Sequence, residues 1–92
     1  MTRISDLHFH PCRREDRSSG LRGWATCTID GQWILDSIAV RRTRDGRGVI
    51  SFPTRVDGNG VEHPYMRPVS KSLRDEVETA VVAYVRKAGY LE

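Results

Sequence analysis

The segment RGWATCTIDGQWILDSIAVR, Arg22 to Arg41, holds two strand-like runs that meet at Asp30-Gly31. Asp-Gly suits a two-residue hairpin turn, because both central positions take positive φ, which glycine adopts freely and aspartate tolerates. Such a loop sets Ile29 opposite Gln32, Thr28 opposite Trp33, Cys27 opposite Ile34 and Thr26 opposite Leu35. With side chains alternating along each strand, one face carries Ala25, Cys27, Ile29, Ile34, Ile38 and Val40, interrupted only by Asp36. The other carries Trp24, Thr26, Thr28, Trp33 and Leu35. The first face is a core face for a helix. The second holds both tryptophans and predicts a further contact, such as a second subunit.

The remaining punctuation extends this hairpin into a β-meander. Ile4 to His10 reads as a first strand, with Leu7 and Phe9 on one face and Ile4, Asp6, His8 and His10 on the other; Pro11 ends it. Pro11 to Gly20 is a polar, charged connection. Asp45-Gly46 and Asp57-Gly58 are further turn signals, around a short strand over Gly48 to Phe52 that Pro53 stops. Val61 to Met66 is at best an edge strand, because Pro64 cannot donate to a ladder. After Pro68 the period changes. Leu73, Val77, Ala80, Val81, Tyr84 and Ala88 fall on one helical stripe, Ser70 or Ser72 can cap its start, and Gly89 stops it. Glu78 falls on the outward side. The expectation is one α+β domain over residues 1–92, with a small antiparallel meander of four to five strands over about 3–66 and one helix over about 70–88 packed on the sheet. A chain of 92 residues buries a small core, so a homodimer is expected, with Trp24, Trp33 and Leu35 at its interface.

Composition excludes several classes. Charged residues make up 29% and hydrophobic residues 38%, which fits a globular protein. No apolar run approaches the roughly 20 residues of a membrane span, and MTRISDLHFH lacks the apolar centre of a secretory signal. A cytoplasmic protein is expected. No nucleophile elbow, phosphate loop or GxGxxG is present, so neither an enzyme nor a cofactor is expected, and no small-molecule substrate is evident. His8, His10 and Cys12 are ligand types on one strand face, yet Pro11 bends the chain between them and a fourth ligand is missing, so no metal is expected. Cys27 reads as a small buried hydrophobe.

The net charge of +3 is carried mostly by arginine, concentrated in connections: Arg13, Arg14 and Arg17, then Arg41, Arg42, Arg44 and Arg47. Arginine suits bidentate contact with phosphate. Arginine-rich loops also serve solubility, and Glu15, Asp16 and Asp45 weaken both clusters. The tryptophans allow two readings. Aromatics on an open sheet face stack on bases, and tryptophan is equally at home in a core or dimer interface, which is the preferred reading.

From Ile4 to Tyr84 the chain resembles the SpoVG family (stage V sporulation protein G), bacterial regulators of septation and sporulation. The resemblance lies in Arg22, Ala25, Thr28, Ile29 and Asp30, in Ile34 to Val40 with Asp36 and Ile38, in Phe52-Pro53 and Asp57-Gly58, and in the run from Pro68 to Arg74 continued by Val77, Ala80, Val81 and Tyr84. It implies a sheet with a C-terminal helix, a dimer, and binding of DNA or RNA through basic residues near the post-strand turn and the helix start. Carried over by position, these are Arg55, Lys71 and Arg74. Where the family has two adjacent basic residues this chain has Arg55-Val56, and Arg67-Pro68 stands in place of His-Pro. Arg67 and the loop with Arg41, Arg42, Arg44 and Arg47 are the compensating cations. The expected function is therefore a nucleic-acid-binding regulator of cell division or gene expression, with DNA or RNA and a second copy as partners. The competing class is a protein-interaction module that binds no nucleic acid.

Overall fold

The computed structural model describes residues 2–91. Strands β1 (Ile4–Pro11), β2 (Leu21–Ile29), β3 (Trp33–Arg42) and β4 (Gly48–Ser51) form one antiparallel sheet in the order β1-β2-β3-β4. A 3-10 segment, Arg14–Ser19, joins β1 to β2. Helix α1 (Lys71–Lys87) lies on one face of the sheet, as the α+β reading expects. Strands β5 (Thr54–Val56) and β6 (Glu62–Pro64) pair in a ribbon of their own instead of extending the meander. Pro53 precedes that ribbon and Pro64 ends it, and the Pro53 carbonyl accepts the N–H of Tyr65 at 3.1 Å.

The central hairpin turns through three residues, not two. Ile29 pairs with Trp33, leaving Asp30, Gly31 and Gln32 as the loop, with Asp30 (φ 53°) and Gly31 (φ 66°) both left-handed. The loop widens because Asp30 is held from outside. Its N–H donates to the Arg3 carbonyl at 2.7 Å, and its carboxylate accepts the Arg3 N–H at 2.8 Å. One extra loop residue exchanges the faces of β3. Leu35, opposite Cys27, faces the helix, while Ile34, opposite Thr28, is 68% exposed on the open face.

A bulge then restores the phase. Between the pairs Cys27–Leu35 and Ala25–Ile38, β3 spends one more residue than β2, and Ser37 takes φ 57°. Asp36 holds this bulge, its carboxylate accepting the Ser37 N–H at 2.7 Å and the Thr26 hydroxyl at 2.9 Å. Ile38 and Val40 thereby return to the buried face. A second bulge in β1, at Asp6 (φ 51°), corrects the expectation for Ile4, which packs against the core with Leu7 and Phe9.

The core is Ala25, Cys27, Ile38, Val40 and Ile50 of the sheet against Val77, Val81 and Val85 of the helix, with Leu91. Ser70 caps the helix, its hydroxyl accepting the Leu73 N–H at 3.2 Å. The helical stripe is rotated from the expected one, since Val85 is buried while Tyr84 and Ala88 are exposed. After Gly89 (φ 87°) the chain turns back, Leu91 enters the core, and Tyr90 sits 5.0 Å from the Phe9 ring. Gly48 is a point of close approach. A Cβ there would lie 2.8 Å from Val82 Cγ1 and 2.9 Å from Leu91 Cδ1.

Edge strand β4 is closed by the helix. Arg74 Nη2 donates to the Ile50 carbonyl at 3.2 Å, and Glu78 Oε2 accepts the Ile50 N–H at 3.2 Å. The two side chains pair with each other at 3.3 Å. Glu78 therefore does not point freely outward. Its half-buried carboxylate satisfies a backbone donor that an edge strand leaves unpaired.

Two consequences are measurable by chemical denaturation. Val81→Asp buries an unpaired charge and is expected to cost at least ~3 kcal/mol. Glu78→Ala strands the Ile50 N–H and one partner of Arg74 and is expected to cost about 1–3 kcal/mol, whereas Glu76→Ala, at an exposed position, stays within about 0.5 kcal/mol. Equal midpoints for Glu78→Ala and Glu76→Ala would contradict the edge closure.

Candidate nucleic-acid interface

The 3-10 segment ends at Gly20 (φ 88°), whose N–H donates to the Arg17 carbonyl at 3.0 Å. The Gly20 carbonyl accepts the Arg42 N–H at 2.8 Å, which pins the segment beside the end of β3. The two arginine-rich connections, far apart in sequence, are thus brought to one end of the sheet. Between them lies a cleft of about 420 Å³ lined by Arg17, Ser19, Gly20, Arg22, Arg42, Thr43 and Arg44.

Two of the arginine side chains of this cleft are positioned by neutral acceptors. Arg42 Nε donates to the Leu91 carbonyl at 3.2 Å and Arg42 Nη1 to the Thr43 carbonyl at 3.4 Å. Arg22 Nη1 donates to the Leu21 carbonyl at 3.3 Å. The turn that presents Arg44 is fixed by Thr43, whose N–H donates to the Arg47 carbonyl at 2.8 Å while its hydroxyl accepts the Arg47 N–H at 3.0 Å. Among the described residues, no ion pair involves Arg17, Arg22, Arg42 or Arg44. Asp45, next to Arg44 in sequence, pairs with Arg47 at 3.2 Å instead. A hydrogen bond from Thr43 and the Arg47 guanidinium hold the Asp45 carboxyl below the usual carboxylate range. Arg47 is thus engaged, and Arg41, opposite Val49, falls on the open face of the sheet.

The post-strand turn and helix start are arranged differently from the expectation. Arg55 stands exposed on the ribbon, opposite His63. Lys71 Nζ pairs with Asp75 at 2.7 Å, and Arg74 is committed to Ile50 and Glu78. Cations at a helix N-terminus oppose the dipole, but Arg74 has the structural task of closing the sheet edge. Arg67 lies at an apolar cleft of about 290 Å³ formed with Ile29, Trp33, Leu35, Phe52, Met66, Pro68, Leu73 and Val77.

That cleft corrects the expected interface patch. Trp33 and Leu35 lie on the helix side, because Ile29 and Cys27 pair with them, while Trp24, opposite Ala39, stands on the open face. The three residues do not form one surface. Of the three ligand-type residues on the first strand, His8 and His10 are exposed and Cys12 is buried, its Sγ donating to the Leu21 carbonyl at 3.3 Å. Both cysteines are free, and burial pushes the Cys27 thiol pKa up. No helix among the described residues is long and apolar enough to cross a membrane.

Sequence reasoning gathered Arg42 and Arg44 but left Arg17 and Arg22 outside the site. The signal was present in Gly20, which lies between the first arginine cluster and Arg22 and permits the reversal that joins them.

The ribbon turn supplies a pH prediction. Asp57 accepts from His63 Nε2 at 2.7 Å, from the Asn59 N–H at 2.8 Å and from the Val61 N–H at 3.0 Å, which lowers its carboxyl pKa, the His63 contact most. A depressed folded pKa contributes order that is complete above the unfolded value of about 3.9 and lost as pH falls through the folded value. The Asn59 and Val61 amide resonances are expected to shift only below about pH 4. A midpoint above pH 5 would contradict this.

No protein-family model matches the chain, and no curated protein matches it.

Proposed function

We propose that this chain is a nucleic-acid-binding regulatory protein that holds phosphates in the cleft of Arg17, Arg22, Arg42 and Arg44. The observation that supports this reading is that four arginines line one cleft and none of them pairs with a carboxylate among the described residues. Like charges gathered at a cleft raise the free energy of the empty protein, and an anion removes that repulsion. Guanidinium groups are suited to bidentate contact with phosphate oxygens. Contacts of this kind position a nucleic acid and carry most of its affinity without reading sequence. A regulatory role in septation, sporulation or gene expression is what the resemblance to the SpoVG family implies, and a location in the cytoplasm is the reading of the N-terminal sequence.

The expected homodimer belongs at the other end of the molecule. Trp33 is 66% exposed beside the apolar cleft, and Met66, Tyr65 and Val69 are exposed nearby in sequence, an apolar surface that a second copy would cover. Sedimentation at tens of micromolar is expected to give the mass of two chains, and Trp33→Asp the mass of one. A parent protein sedimenting as a single chain would end this reading.

The test of binding is a titration with duplex DNA and single-stranded RNA at several salt concentrations. Arg17→Ala with Arg44→Ala is expected to lower affinity roughly tenfold or more and to flatten the log–log salt slope on duplex DNA by about 1.8, two phosphate contacts at about 0.9 each. Lys71→Ala is expected to change both much less. A double variant that binds like its parent with an unchanged slope would remove the cleft from the function.

A further inference from the structure

The sheet face opposite α1 is uncovered, and its centre is aromatic. One row across the four strands reads His10, Trp24, Ala39 and Ser51. Trp24 sits on inner strand β2 and is 40% exposed. Ala39 and Ser51 are small, so the indole is not walled in towards β4. The next row on one side is His8 and Thr26, and on the other Leu21, Arg41 and Val49. An exposed arginine therefore stands one row from the exposed indole. Arg22, in the arginine cleft, lies two residues from Trp24 along β2. At about 3.3 Å per residue the two backbones are about 7 Å apart, within reach of one nucleotide.

We infer that this face takes an unpaired base of a single-stranded nucleic acid, stacked on Trp24, with the adjoining phosphates at Arg41 and the arginine cleft. The inference rests on the nucleic-acid reading above and narrows its ligand from any phosphate backbone to one with accessible bases. A duplex keeps its bases inside the stack, so a flat aromatic platform gains nothing from it. The surroundings also favour a polyanion over a second copy. His8, His10, Thr26 and Arg41 occupy the rows at and beside the indole, with the exposed Ile34 farther along the hairpin beside Thr28, whereas the centre of a protein interface is depleted of charged groups. Asp36 on this side is engaged by the Thr26 hydroxyl and the Ser37 N–H, and Asp6 at the β1 bulge accepts the Ser5 hydroxyl at 3.3 Å.

The test uses the full chain, with its Trp24→Phe variant as the reference that isolates the Trp24 signal. It is titrated with unstructured oligo(U), with oligo(dT) and with a blunt DNA duplex. The inference expects both single strands to quench Trp24 fluorescence and the duplex to leave it nearly unchanged. Trp24→Ala is expected to weaken single-strand binding roughly tenfold or more, while Trp24→Phe keeps most of it. Thermal melting of both variants separates lost stacking from lost folding, and Trp24→Phe carries the test if Trp24→Ala does not fold. Quenching by the duplex equal to that by the single strands would overturn the inference, as would Trp24→Ala binding oligo(U) like its parent. If, in the same series, Arg17→Ala with Arg44→Ala still weakens binding, the arginine cleft stands and only the stacking site falls. Absence of salt-dependent binding to all three probes overturns both.

Discussion

Leu35 and Ile38 both face the helix, which a regular strand forbids, because residues three apart point to opposite faces. The bulge at Ser37 reconciles them, and the rest of the molecule depends on it. Without that extra residue, a hairpin that placed Leu35 inward would turn Ile38 and Val40 to solvent, and Val77, Val81 and Val85 would lose their partners. A non-glycine residue with φ 57° is sterically costly. The Asp36 carboxylate offsets that cost with two short hydrogen bonds. The charged residue that interrupts an apolar run is thus the residue that permits the run to be buried.

The arginines likewise divide by what their side chains hold. Arg74 closes a strand edge, Arg47 pairs with Asp45, and Arg42 is oriented by the Leu91 carbonyl. Structural employment of this kind makes Arg74 a weak candidate for contact with a ligand, despite its place at a helix start. Arg17 and Arg44 make no ion pair among the described residues, yet the fold draws them to the same cleft. A cation held near other cations is better evidence of an anionic ligand than one neutralised within its own helix.

The element order and the helix-on-sheet arrangement were legible in the sequence because turn residues and apolar periods are local signals. Three features were not. The third loop residue at Gln32 depends on Arg3 reaching Asp30, a contact across 27 positions. The burial of Val85 and Leu91 goes with the close approach of the helix and its tail to β4, where Gly48 admits Val82 and Leu91. The exchange of Ile34 for Leu35 follows from the loop, and with it the separation of Trp24 from Trp33 onto opposite faces. The candidate site was half legible. Composition marked two arginine clusters, but the Leu21–Arg41 pairing and the Gly20–Arg42 hydrogen bond place them together.

The most direct test of this account is the response of the arginine side chains themselves. In a nitrogen-15 spectrum, the Nε–H resonances of Arg17, Arg22, Arg42 and Arg44 are expected to move together on titration with an oligonucleotide, while those of Arg74 and Arg86 stay in place. Movement centred on Arg74 and the Lys71 region, with the cleft arginines unchanged, would contradict it.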